Sequence, residues 1–264
     1  MSDSSPPAET LPGLIDALGA TAEPCRIVVP DRWMQGRTVY GGLSAALALA
    51  ATLGRWDDLP PLRSAQIAFV GPLAGALEIR TELLRRGRSA AFVQADVASA
   101  AGLGVRATFL FVAARESHVD LAADASGPET PPPMTEAFEP PPGVAFIRNF
   151  ELRMTAEERD GQAHIARWAR LLDRDGLHPM VELLAVGDVL PPAAMRLFTR
   201  PGPISSMNWH LNLLADPPAT TDGWWLLRST ADQARHGYSG QQMSIRDAAG
   251  RLVATATQSV ALFA

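Results

Sequence analysis

Gly250-Arg251-Leu252-Val253-Ala254-Thr255-Ala256-Thr257-Gln258 is the second appearance of a pattern in this chain. The first is Gly102-Leu103-Gly104-Val105-Arg106-Ala107-Thr108-Phe109-Leu110-Phe111, about 148 residues earlier. Each follows a strand candidate introduced by a turn-like segment, Arg85-Arg86-Gly87-Arg88-Ser89 in the first copy and Ala234-Arg235-His236-Gly237-Tyr238-Ser239 in the second. A repeat of that size is a duplicated domain, not a solenoid unit. The copies differ at a few polar positions, and the polar version is the second.

Working outward, each copy reads as one apolar helix followed by about four strands. In the first half the run Leu43-Ser44-Ala45-Ala46-Leu47-Ala48-Leu49-Ala50-Ala51 is apolar on nearly every face, so it predicts a helix buried all round. Strands are predicted at 63–70, 76–84, 89–99 and 104–114. The second of these alternates Leu77, Ile79, Thr81, Leu83 against Glu78, Arg80, Glu82, as a half-solvated antiparallel sheet requires. In the second half a strand is predicted at 164–172 and a helix at 178–187, with Pro179 in a tolerated first-turn position. Strands follow at 204–214, 224–232, 238–246 and 252–263, and Asp247-Ala248-Ala249-Gly250 is a turn signal. The fold class is α+β, each helix packed on a curved antiparallel sheet. Residues 1–12 are small, polar and Pro-rich and are expected to be disordered. The first unit is set at 13–113 and the second at 144–264. The segment 114–143 between them is a linker, whose seven prolines favour extended polyproline conformation.

The 264-residue chain carries a net charge of −5, which argues against a nucleic-acid partner, since neutralising phosphates needs a basic face. One cysteine, Cys25, excludes an internal disulfide. The first residues lack a basic segment and an apolar stretch, and the longest mostly apolar run, 43–53, is too short to span a bilayer. A cytoplasmic location without membrane insertion is expected. The five histidines are scattered without ligand spacing, so no metal is expected. No nucleotide-binding fingerprint is present and no cofactor is expected.

Polar residues in apolar surroundings mark the candidate site. Ala254, Ala256, Gln258, Val260 and Leu262 share one strand face, so Gln258 points its amide into the core. A buried amide without partners costs roughly 1–3 kcal/mol, so partners must exist. At the repeat offset the first half has Leu110. Asp188 follows the second helix, where a carboxylate faces the unfavourable end of the dipole; it either serves chemistry or caps the turn that follows. Ser205 and Ser206 open a strand and read equally as turn residues. Tyr40-Gly41-Gly42 leads into the first helix, where glycine N–H groups could meet an anion or a polarised carbonyl, or where small residues simply allow close packing.

Together these segments resemble the acyl-CoA thioesterase II family, the double hotdog thioesterases, over roughly residues 25–264. The likeness rests on Tyr40-Gly41-Gly42, Phe69-Val70-Gly71-Pro72-Leu73-Ala74-Gly75 and Arg85-Arg86-Gly87-Arg88-Ser89 in the first half. In the second it rests on Ala185-Val186-Gly187-Asp188, Ile204-Ser205-Ser206 and the run from Gly250 to Gln258. The resemblance implies two tandem hotdog units, an acyl-CoA substrate, and thioester hydrolysis within bacterial-type fatty acid metabolism. It implies a site of Asp188, Ser206 and Gln258 holding the attacking water. Ser206 stands where the family more usually has Thr, which removes the methyl that restricts the rotamer; Ser205 is the alternative hydroxyl. Backbone N–H groups at Gly41 and Gly42, beside Tyr40, would receive the oxyanion, and Arg86 or Arg88 would meet CoA phosphates. Two other readings are a non-catalytic acyl-CoA-binding protein and an enoyl-thioester hydratase or dehydratase. The latter usually needs an Asp–His pair, for which His178 is poorly spaced from Asp188. A monomer is allowed, and a homo-oligomer through exposed sheet edges is equally open.

Overall fold

The computed structural model of the chain describes residues 9–19, 23–122, 126, 127, 129–132, 143–157, 163–215 and 218–263. The first half contains helix α1 (Leu11–Leu18), strand β1 (Cys25–Val28), the short pair β2 (Met34–Gln35) and β3 (Thr38–Val39), and helix α2 (Gly41–Arg55). Strands β4 (Leu62–Phe69), β5 (Ala76–Arg86), β6 (Ala90–Ser99) and β7 (Gly102–Val112) complete it. The second half contains β8 (Phe150–Met154), β9 (His164–Leu171), helix α3 (Pro179–Gly187), β10 (Ile204–Leu213), β11 (Trp225–Arg235), β12 (Tyr238–Arg246) and β13 (Leu252–Leu262).

Eleven of the strands form one antiparallel sheet in the order β1-β5-β6-β7-β4-β10-β13-β12-β11-β9-β8. Read outward from the central β4–β10 pair, each half repeats the same order: β4-β7-β6-β5-β1 on one side and β10-β13-β12-β11-β9 on the other. The duplication seen in the sequence is therefore a duplication of topology, with β8 added at one edge. The junction is a true ladder, in which Trp209 pairs with Ile67 and Leu211 with Ala65. On its outer face the Ser64 hydroxyl donates to the Leu211 carbonyl (3.0 Å) and lies 3.1 Å from His210 Nε2.

Helix α2 is buried from Gly42 to Thr52 without a polar stripe. Ala and Leu fit there because the helix is enclosed by the sheet on one side and by α3 on another. Its one buried β-branched residue, Thr52, returns its hydroxyl to the Ala48 carbonyl (2.9 Å). The two long helices run antiparallel. At one end the Tyr40 hydroxyl, ahead of α2, donates to the Ala185 carbonyl near the end of α3 (2.8 Å). At the other end Leu49, Leu53 and Trp56 of α2 share a cleft of about 360 Å³ with His178, Pro179 and Met180 of α3. Tyr40 stacks on Phe146 with ring centroids 4.1 Å apart, tying the start of the second half to the head of α2.

Two expectations change. Residues 11 and 12 belong to α1, with Thr10 as its cap, rather than to a disordered tail, while residues 1–8 of that expected tail lie outside the described residues. Thr10 Oγ1 caps it by accepting from Gly13 N (3.3 Å). Leu11, Leu14 and Leu18, at helical spacing, are all buried in the main core. The later described residues of the linker are also no free spacer. Ser126 N donates to Gly250 O and Glu129 N to Ala248 O, each at 3.1 Å, and the Pro132 carbonyl accepts from Arg153 (2.8 Å). Residues 126, 127 and 129–132 thus lie against the second half. The runs at 133–142 fall outside the described residues.

If α1 is part of the core, Leu14→Ala removes a side chain that is 1% exposed and should cost about 2–5 kcal/mol. Urea unfolding followed by circular dichroism measures this; an unchanged midpoint would detach α1 from the folding unit.

Candidate active site

The site is built where the end of α3 meets the start of α2. His178 caps α3, its Nδ1 accepting from Met180 N (3.2 Å), and Pro179 occupies a first-turn position where no N–H is needed. Gly187, the last residue of the helix, sits in a tight place: a Cβ there would lie 3.1 Å from both the Trp209 ring and Ile245, which would have to give way slightly. Asp188 follows as the C-cap. Its carboxylate passes from the negative end of its own helix to the positive end of α2, where the Gly42 N–H donates to it. Gly41 is required by the same approach, since a Cβ there would stand 2.6 Å from Asp188 Oδ2 and 2.9 Å from Phe69.

Gln258 reaches this carboxylate from β13, its Nε2 donating to Asp188 Oδ1 (3.0 Å). The alternation read from the sequence holds: Gln258 is 4% exposed between buried Ala256 and Val260. Its counterpart, however, is not Leu110, which points outward between buried Phe109 and Phe111. The comparable inward pair in the first half is Val93 opposite Phe109, where the second half has Gln241 opposite Gln258.

Gln241 is the residue the sequence reading missed. It donates from Nε2 to Gln258 Oε1 (2.7 Å) and accepts at Oε1 from Ala193 N (3.0 Å). Its signal was the one that exposed Gln258. On β12 the inward set is Ser239, Gln241, Met243 and Ile245, so an amide again sits in apolar company.

Ser206 comes to the inner face through a β-bulge. Trp209 faces inward opposite Gln258, and three residues earlier a regular strand would turn Ser206 outward. The irregularity between Ser206 and Asn208 absorbs Met207 and restores the phase, so Ser206 pairs with inward Val260, diagonal to Gln258. Ser205, opposite Ala261, is exposed on the other face. Arg88 is not brought to the site. It lies in the β5–β6 turn, whose neighbour Arg86 pairs with Asp58 (2.8 Å) just beyond the last turn of α2. Asp188 lies against the first turn of that 15-residue helix, roughly 20 Å away at 1.5 Å per residue. Of the two glycine N–H groups expected to be free, that of Gly42 is taken by Asp188.

Burial pushes the Asp188 carboxyl up from 3.8 to about 7, although the Gln258 and Gly42 hydrogen bonds favour its charged form. Part of the residue remains within reach of solvent. Burial, and secondarily the charge of Asp188, hold the Tyr40 phenol well above its usual range. No histidine joins the group: His178 caps the far end of α3, and His210 faces outward beside Ser64. The Trp209 indole N–H is buried without an acceptor among the described residues.

The sequence models for the acyl-CoA thioesterase N-terminal and C-terminal domains match residues 29–112 and 127–262. The chain belongs to this family. Among solved structures it resembles a hot dog fold protein of unknown function from Alicyclobacillus acidocaldarius, at 23% identity and TM-score 0.78 over 95% of this chain and 98% of that one. A candidate thioesterase II from Thermobifida fusca is 20% identical, with TM-score 0.78 over 98% and 99%. An acyl-CoA thioesterase II from Mycobacterium marinum is 16% identical, with TM-score 0.71 over 94% and 96%. These likenesses establish the fold, a double hotdog of α+β class. No curated protein matches the sequence. Among the described residues no helix is long and apolar enough to cross a membrane.

The raised Asp188 pKa has a consequence for stability. Below pH 3.8 the carboxyl is protonated in both folded and unfolded chains. Between 3.8 and about 7 the unfolded chain ionises first, so folding stability falls as pH rises and levels off above 7. Asp188→Asn lacks this loss. Its stability relative to the parent should rise by on the order of 4 kcal/mol between pH 4 and pH 8, from about 1.4 kcal/mol per pH unit. Denaturant titrations at both pH values measure it; a pH-independent difference would show that Asp188 titrates normally.

Proposed function

We propose that this protein hydrolyses acyl-CoA thioesters to the free acid and CoA, using a water held by Asp188, Gln258 and Ser206. The observation that carries this reading is the Asp188–Gln258 hydrogen bond at the meeting of two helix ends. It presents a carboxylate whose pKa of about 7 suits proton transfer near neutrality. The water oxygen attacks the thioester carbonyl carbon while Asp188 takes its proton. Charge develops on the carbonyl oxygen, and the Gly41 N–H at the first turn of α2, without an acceptor among the described residues, is the donor offered to it. The C–S bond then breaks and Asp188 returns the proton to the CoA sulfur, restoring the carboxylate. Ser206 supplies the hydroxyl from the inner face of β10. A covalent route through Ser206 lacks a neighbouring histidine to activate it. The hydratase reading lacks the same group, since His178 is separated from Asp188 by the length of α3, roughly 15 Å.

Release of free thiol from acyl-CoAs of increasing chain length tests the proposal. The parent should turn over at least one member, with a kcat/KM that rises through a single limb at about pH 7. Asp188→Asn should lose about 10²–10⁴-fold in kcat while remaining folded. Saturable acyl-CoA binding with no thiol released would instead make the protein a carrier or sensor. Full activity in the Asn variant would remove Asp188 from the mechanism.

A further inference from the structure

We propose that Gln241 is a positioning residue of this site, fixing which end of the Gln258 amide faces Asp188. The role assigned to Asp188 rests on the hydrolase reading above; the orientation itself rests on geometry. An amide has a donor end and an acceptor end of nearly equal size, and strand pairing alone does not choose between them. Here both ends of a chain of hydrogen bonds are chemically one-sided. Ala193 contributes a backbone N–H, which can only donate; Asp188 contributes a carboxylate, which only accepts when ionised. Between them Gln241 Oε1 accepts from Ala193 (3.0 Å), its Nε2 donates to Gln258 Oε1 (2.7 Å), and Gln258 Nε2 donates to Asp188 (3.0 Å). Reversing Gln258 would set its oxygen against the Asp188 carboxylate and its NH₂ against that of Gln241.

The origin of the chain is itself rigid. Pro191 and Pro192 precede Ala193, and Pro192 caps the short 3-10 turn Ala193–Leu197. Proline has no N–H, so Ala193 supplies the first donor of that turn, one the turn cannot use internally. Ala193 is fully buried, and Gln241 is 2% exposed directly across from Gln258 in the β12–β13 register. Water has little access to compete for these bonds.

Without Gln241, Gln258 could turn its oxygen toward Asp188 whenever that carboxyl is protonated. The protonated form would gain an acceptor it now lacks, and the carboxylate would form at higher pH. Tyr40, at the head of α2, is the titratable group whose interaction with Asp188 is resolved. Glu182 of α3 is turned to Trp225, and the inward faces of β10, β12 and β13 present no ionisable side chain.

The test compares the parent with Gln241→Leu, Gln258→Leu and the double variant. Gln241→Met, unbranched and of similar length, replaces Leu if that variant does not fold. The first readout is the infrared carbonyl band of protonated Asp188, identified by its loss in Asp188→Asn and followed against pH. Gln241→Leu should move the midpoint upward and lower kcat about tenfold, the net worth of one hydrogen bond, with KM unchanged. In the Gln258→Leu background the Gln241 change should move the midpoint no further. A folded Gln241 variant with an unmoved midpoint overturns the proposal, as does an equal shift in both backgrounds. The titration needs no turnover. A parent that releases no thiol from any acyl-CoA would defeat the hydrolase reading while leaving the role of Gln241 decided.

Discussion

A carboxylate cannot be buried without compensation, and most of the site's sequence follows from how this compensation is made. Asp188 leaves α3 at the end whose dipole repels it and meets α2 at the end whose dipole attracts it. That exchange works only if the two helices are antiparallel and nearly in contact at this point. Contact at this range excludes a Cβ at Gly41, where Asp188 and Phe69 stand, and leaves little room for one at Gly187, against Trp209 and Ile245. Gly41 is therefore a spatial requirement of the carboxylate. Gln258 adds the remaining donor, and the balance leaves Asp188 ionisable near pH 7 rather than permanently charged or permanently neutral.

The two halves contribute unequally. The first supplies backbone, the N–H groups at the head of α2, and the Tyr40 ring that holds this head against Ala185 and Phe146. The second supplies the Asp188 carboxyl and the Gln241 and Gln258 amides. Neither half contains the whole group alone, and the ladder across β4 and β10 makes one body of them. Ser126 and Glu129 of the connecting segment reinforce this by bonding to the β12–β13 turn.

Much of this was legible in the sequence because period and polarity are local. The long strands were found within one to three residues by alternation and turn signals, and Gln258 by an amide on an apolar face. Asp188 was found by a charge at the wrong end of a helix. What escaped depended on non-local facts. Helix α1 is eight residues long and begins inside a Pro-rich, polar stretch, so its burial against the core outweighed its composition. Ser206 and Ser205 could not be separated without the bulge at Met207, which alone decides the inward one. Leu110 was chosen as the counterpart of Gln258 by counting, and a count that is off by one residue lands on the opposite face. Arg88 looked available to the site because distance along the chain says nothing of which end of α2 a turn adjoins.

The antiparallel pair of helices has a second meeting place, and its make-up differs from the first. There α3 opens with His178-Pro179. Proline brings no N–H where Gly41 brings one, and the Met180 N–H is already occupied by His178. Trp56 caps α2 where Asp188 caps α3. An indole and an imidazole have replaced an acid and an open amide, and Leu49, Leu53, Leu62 and Phe111 line the cleft around them. Among the described residues, two copies of one fold thus share one carboxylate–amide cluster. The second meeting place is free to follow packing alone, and the internal symmetry of the sheet is not carried into the polar groups.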